Sequence, residues 1–150
     1  MNRSGSDRYR IGEVYLMQFD GSASEQRGKR PGLVFQNNTG NRYSPNIIAL
    51  PLTSSLKKLD MPTHVLLRAE DSGLMKDSVV LCENPERMSK DRIGQYITTV
   101  SDKDMERVAI ANLIATSAIS FIDPAALRAV WSKAVSLNTV REDGYGKEYV

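Results

Sequence analysis

The sequence is poor in the residues that build metal and thiol chemistry: its 150 residues hold one cysteine, one histidine and one tryptophan. Cys82 has no partner for a disulfide within the chain. With His64 the only imidazole, there is almost no material for a protein-built zinc site or a Cys–His nucleophilic pair. No metal and no cofactor is therefore expected. Long apolar runs are absent too. The longest uncharged stretch, Val108 to Ile122, would span about 22 Å as a helix at ~1.5 Å per residue, short of the ~30 Å hydrocarbon core of a bilayer. No membrane partner is expected. The first seven residues, MNRSGSD, lack the apolar segment of a secretory signal, and the expected compartment is the cytoplasm. There is no internal repeat and no low-complexity segment. What the chain does have is 41% hydrophobic and 25% charged residues, a composition that can fill the core of one compact domain.

The net charge of +2 is unevenly placed. Residues 1–60 carry nine Lys and Arg against five Asp and Glu, whereas residues 61–150 carry eleven against thirteen. Arg27, Lys29, Arg30, Arg42, Lys57 and Lys58 fall in segments that read as loops. Such a cluster can neutralise phosphates, and it can equally be an ordinary solvated surface.

Six short runs rich in β-branched and aromatic residues read as strands: 12–19, 33–36, 47–52, 64–67, 78–82 and 95–100. Gly, Asn, Asp, Ser or Pro separates them. This pattern predicts a small barrel or a twisted antiparallel sheet. The most hydrophobic runs do not divide into inward and outward faces, so both faces of part of the sheet should be covered, by helix or by a second subunit. Gly40-Asn41-Arg42 reads as a turn.

Helix is expected in the second half. Ser101 and Asp104 form a start signal, and Met105, Val108, Ala109, Asn112, Leu113 and Thr116 follow at helical spacing. Ile110, Ile114, Ser117 and Phe121 lie around the back, which predicts core on one side and another partner on the other. Asp123-Pro124 then reads as an N-cap followed by proline at the first helical position. In the helix it opens, Leu127, Val130, Trp131 and Ala134 share a face. The residues after Leu137 hold too little apolar material to order themselves without docking.

Six segments then occur in an informative order: SEQRGKRP (24–31), LVFQN (33–37), GNRYSP (40–45), PLTS (51–54), LDMPTHV (59–65) and DSVVLCE (77–83). Their sequence and spacing resemble the MazF/PemK family of toxin–antitoxin ribonucleases over residues 10–122. The resemblance implies a mainly β fold with C-terminal helices, an SH3-like small β-barrel of the CcdB/MazF type, assembled as a homodimer. It also implies cleavage of single-stranded RNA without a metal ion, and silencing by a cognate antitoxin. On this reading residues 1–10 are a flexible N-terminal tail, 11–122 the toxin domain, and 123–150 an extra C-terminal helix with a frayed tail. Two other functions go with similar folds: a gyrase poison of the CcdB type, and a non-catalytic SH3-like binding module.

Metal-free cleavage drives the 2′-hydroxyl onto its own phosphorus. It needs a base near that hydroxyl, donors at the phosphorane oxygens and an acid at the 5′-oxygen. Arg30, held extended by Pro31 where a loop enters the second strand, presents a planar fork of donors but makes an improbable base. Thr53 ends the third strand with a hydroxyl that can donate to a phosphoryl oxygen. On residue chemistry alone, Arg30 also reads as a surface ion pair and Thr53 as a strand-end hydroxyl; the resemblance makes them the catalytic pair. Glu83, after the fifth strand, and Glu25, before Arg30, are candidate bases, and Glu83 is the one chosen. Gln26, Asn41, Arg42, Lys57 and Arg87 join Glu25 as expected RNA contacts. Asn84-Pro85-Glu86-Arg87 departs from many relatives, which carry arginine where Glu86 stands. His64 reads as a sheet or core histidine.

Overall fold

The computed structural model describes residues 8–20 and 27–138. Their core is an antiparallel sheet. Strand β1 (Glu13–Asp20) pairs with β2 (Arg27–Val34), which pairs along its other edge with β3 (Asn46–Thr53). The far edge of β3 is shared: β6 (Glu86–Ser89) takes its first half and β5 (Ser78–Leu81) its end. Strand β4 (His64–Leu67) lies outside β5, and β7 (Ile93–Thr99) pairs with β1 through two register shifts. Among the described residues the sheet is open, with β4 and β7 at its ends.

Alternate residues along the strands feed two cores. Val14, Leu33, Leu50, Leu52, Val65, Leu67 and Val80 fill one; Tyr15, Met17, Phe19, Val34, Ile47, Ala49, Met88 and Ile93 fill the other. The expectation of a sheet covered on both faces is thus met within one protomer. Helix α3 (Asp102–Thr116) closes the first core with Val108 and Ala111. Ser101 caps it by accepting the amide of Asp104 at 3.2 Å, as its sequence signal predicted. Ile110, Leu113 and Ile114 remain exposed on its outer side.

Several expectations need correction. Gly40-Asn41-Arg42 is not a plain turn but part of helix α1 (Asn38–Tyr43), capped by the Asn37 side chain, which accepts the amide of Gly40 at 2.8 Å. The described strands number seven rather than six, because β6 was not legible in a segment opened by Asn84-Pro85. Strand β2 begins at Arg27, so Arg30 lies inside it rather than at its loop entry. Tyr9, assigned to the N-terminal tail, is buried in the second core, and the amide of Arg10 donates to Glu13 Oε1 at 2.7 Å. A short helix α2 (Ala69–Ser72) links β4 to β5, and α4 (Pro124–Ser136) follows Asp123 as expected.

Candidate active site

The two expected catalytic residues come from neighbouring strands. Gly32 pairs with Pro51, Leu33 with Leu50 and Val34 with Ala49, and Arg30 and Thr53 lie just beyond the first of these pairs. Directly opposed residues on antiparallel neighbours face the same side of the sheet. Arg30 is opposed by Met17 of β1, and Thr53 by Val79 of β5. Gly32 keeps this part of β2 close to β1. A Cβ there would lie 2.5 Å from Met17 Sδ and 2.9 Å from Phe19 Cζ, so the glycine after Arg30-Pro31 is a packing requirement.

Arg30 and Thr53 line a groove of about 670 Å³ together with Leu52, Leu74, Met75, Lys76 and Tyr96. Thr53 also borders a smaller hollow of about 300 Å³ lined by Lys57, Lys58, Met61, His64, Leu81 and Glu83. Thr53 therefore stands between the two hollows, with the guanidinium-bearing strand on one side and a carboxylate–imidazole pair on the other.

That pair is the most organised part of the site. His64 Nε2 lies 3.0 Å from the Glu83 carboxylate, and its Nδ1 lies 3.0 Å from the carbonyl of Lys58. The hydroxyl of Thr63 donates to Glu83 Oε2. A carbonyl oxygen only accepts, so Nδ1 carries a proton. Nε2 then faces the carboxylate. The side chain of His64 is 9% exposed and that of Glu83 28% exposed, so the acid is more open to water than the ring. Sequence reasoning placed Glu83 correctly after β5 but set His64 aside as structural. Only the β4–β5 pairing, with His64 opposite Leu81, brings the two together.

A second acid lies within the electrostatic reach of Arg30. Burial pushes the Glu86 carboxyl above its ordinary range, the Asp20 carboxylate adds to the shift, and the Arg30 guanidinium opposes it. The departure noted in the Asn84–Arg87 segment thus sets an acid near Arg30 and turns the exposed Arg87 out along β6.

The remaining candidates divide. Lys57 is exposed beside the His64–Glu83 hollow. Glu25 and Gln26 lie outside the described residues. Asn41 does not fit an RNA contact: it is fully buried, and its amide is bonded to the carbonyl of Gln36 at 2.8 Å and to Asn38 Oδ1 at 3.2 Å. Arg42 is half-buried, with its guanidinium 5.4 Å from the Tyr43 ring centroid. Helix α1 enters β3 at Asn46, about 23 Å along the strand from Thr53 at ~3.3 Å per residue. Arg42 and Thr53 are thus held at opposite ends of one strand. Among the described residues no three of His, Cys, Asp or Glu gather where a metal could be held. None of their helices is long and apolar enough to cross a membrane.

A family model described as PemK-like, MazF-like toxin of type II toxin–antitoxin systems matches residues 10–114. The chain belongs to this family. Among similar MazF/PemK proteins, Endoribonuclease MazF of Staphylococcus saprophyticus is 41% identical over 100 residues, covering 66% of this chain and 83% of that protein. A mycobacterial endoribonuclease solved in complex with its cognate antitoxin superposes with a TM-score of 0.61 at 27% identity, over 73% of this chain and 96% of the other. MazF of Deinococcus radiodurans shares the fold, with a TM-score of 0.62 at 22% identity over 73% of this chain and 96% of that one. The MazF-type fold expected from the sequence is the fold observed.

Proposed function

We propose that this MazF/PemK-family toxin is a metal-independent endoribonuclease that cuts single-stranded RNA, messenger RNA among its targets, in the cytoplasm, and that a protein antitoxin neutralises it. The observation that carries the reading is the meeting of Arg30 and Thr53 in one groove, with Thr53 also bordering the hollow of the His64–Glu83 pair.

In the proposed reaction the 2′-oxygen bonds to the adjacent phosphorus while the bond from phosphorus to the 5′-oxygen breaks. The 2′-hydroxyl proton passes to the Glu83 carboxylate of the His64–Glu83 pair, and water gives a proton to the departing 5′-oxygen and regains one from Glu83. The products are a 2′,3′-cyclic phosphate and a 5′-hydroxyl. Arg30 and the Thr53 hydroxyl donate to the phosphorane oxygens, where charge accumulates as the bond forms. Lys57 lies on the approach and favours a polyanion.

The active species is proposed to be a homodimer. The bare outer side of α3, with Ile110, Leu113 and Ile114, offers apolar surface of the kind a second copy covers. The deciding experiment is to incubate the purified protein with a long RNA in EDTA, sequence the new 5′ ends and identify the 3′-terminal phosphate. Recurrent cleavage at one short motif is expected. Intact RNA would overturn the reading.

A further inference from the structure

Helix α4 carries an apolar stripe of which only Leu127 is partly buried. Leu127, Val130, Trp131, Ala134 and Val135 recur at the spacing of one helical face, yet Val130, Trp131 and Val135 are 52%, 61% and 54% exposed. The helix is nevertheless held. The carbonyl of Leu137 at its end accepts from both the amide and the hydroxyl of Thr39, at 2.9 and 2.8 Å. Asn138 adds two bonds, its Oδ1 accepting the amide of Asn38 at 3.3 Å and its carbonyl the Asn38 side chain at 3.0 Å. Asn38 and Thr39 open α1, where the first amides have no partner within their own helix, so the end of α4 satisfies the start of α1. A helix tied at its end and bare along most of its length is a presented surface, already ordered before anything binds.

Charge decides what fits it. Between Pro124 and Ser136 the charged residues are Arg128 and Lys133, both basic, and Arg128 borders the stripe two turns before Val135. Two copies of α4 packed together would bring only like charges to their rims. An acidic helix would be complementary at the rim and could cover Trp131 at the centre.

We propose that α4 is a docking surface for an acidic amphipathic helix of the antitoxin, apart from the Arg30–Thr53 groove. This rests on the toxin–antitoxin reading above. Because α4 lies beyond the residues 10–114 that match the family, this contact would help the chain discriminate its own antitoxin from those of its relatives.

The test uses the full chain and the full-length antitoxin, titrated calorimetrically at low and high salt. Trp131→Glu should weaken binding at least tenfold, and Arg128→Glu should weaken it several-fold while flattening its salt dependence. Both positions are exposed, and both variants should cleave RNA at the wild-type rate when antitoxin is absent. Antitoxin affinity within twofold of wild type in Trp131→Glu would overturn the proposal. So would a change of oligomeric state at unchanged antitoxin affinity, which would assign the stripe to a second copy. A truncation after Asn138 that shifts Trp131 fluorescence to the red while antitoxin affinity stays unchanged would assign the stripe to the chain's own end, and would overturn it as well. A wild-type chain that cleaves RNA but is not bound by the antitoxin overturns this inference and leaves the nuclease reading standing.

Discussion

His64 and Glu83 are joined across the edge of the sheet, imidazole Nε2 3.0 Å from carboxylate, with the other ring nitrogen 3.0 Å from the Lys58 carbonyl. One residue comes from the start of β4 and the other follows β5, and both line the hollow that Thr53 borders. If the pair works as one proton acceptor, His64→Ala and Glu83→Gln should each lower the cleavage rate ~10²-fold or more. The double variant should be no slower than the slower single variant, because groups acting as a unit are not additive. Multiplied losses in single-turnover kinetics would show that the two act separately.

Arg30→Ala and Thr53→Ala should each cost ~10²–10³ in rate, the usual loss when one donor to a developing oxyanion is removed. Far-ultraviolet circular dichroism should match wild type. Activity within a few-fold of wild type, in a fluorogenic RNA assay, would remove either residue from the site.

With the 2′-hydroxyl as nucleophile, EDTA should leave the rate unchanged, and a single 2′-deoxy substitution at the cleaved nucleotide should abolish cutting there. Inhibition by EDTA that magnesium reverses would replace this chemistry with a metal-assisted one.

Asn41→Ala should act on stability and not on RNA. Its amide bonds Gln36 and Asn38 inside the fold, and removing a buried hydrogen-bonding group of this kind costs about 1–3 kcal/mol. Thermal denaturation should show a lower Tm. A raised KM for RNA at unchanged Tm would restore Asn41 to the binding surface.

Burial, reinforced by the neighbouring Glu83 carboxylate, pushes the Cys82 thiol up to about 12. In the unfolded chain the thiol ionises near its ordinary value of 9.0. Above that pH the unfolded state has lost a proton that the folded state still holds, so stability falls as pH rises from about 9 toward about 12. Chemical denaturation across pH 8–11 should reveal the decline, and Cys82→Ala should reduce its slope. An identical slope in that variant would mean that other groups account for it.

Local patterning made much of this legible. The Ser101 cap, Pro124 at the start of α4 and the placement of Thr53 at the end of β3 and Glu83 just after β5 all follow from residues a few positions apart. Strand β6 and helix α1 were not legible. Glu86–Ser89 has no strong strand composition of its own and is held extended by its pairing with β3, while α1 owes its form to the Asn37 cap and to buried amides on Asn38 and Asn41. The beginning of β2 was hidden for a similar reason. Arg-Pro-Gly reads as a breaker, yet the eight residues of β1 template a partner of equal length.

The sequence alone determined that the chain builds a β fold with C-terminal helices, and it singled out Arg30, Thr53 and Glu83 as candidates for its chemistry. Hydrophobic periodicity, capping and composition act between near neighbours, so they survive in one dimension. Tertiary structure decided which of those groups meet. The pairing of β2 with β3 brought Arg30 and Thr53 to one groove, the β4–β5 edge brought His64 to Glu83, and the length of β3 held Arg42 away from Thr53. Such relations depend on which strands pair and in what alignment, and a one-residue slip would turn each side chain to the other face.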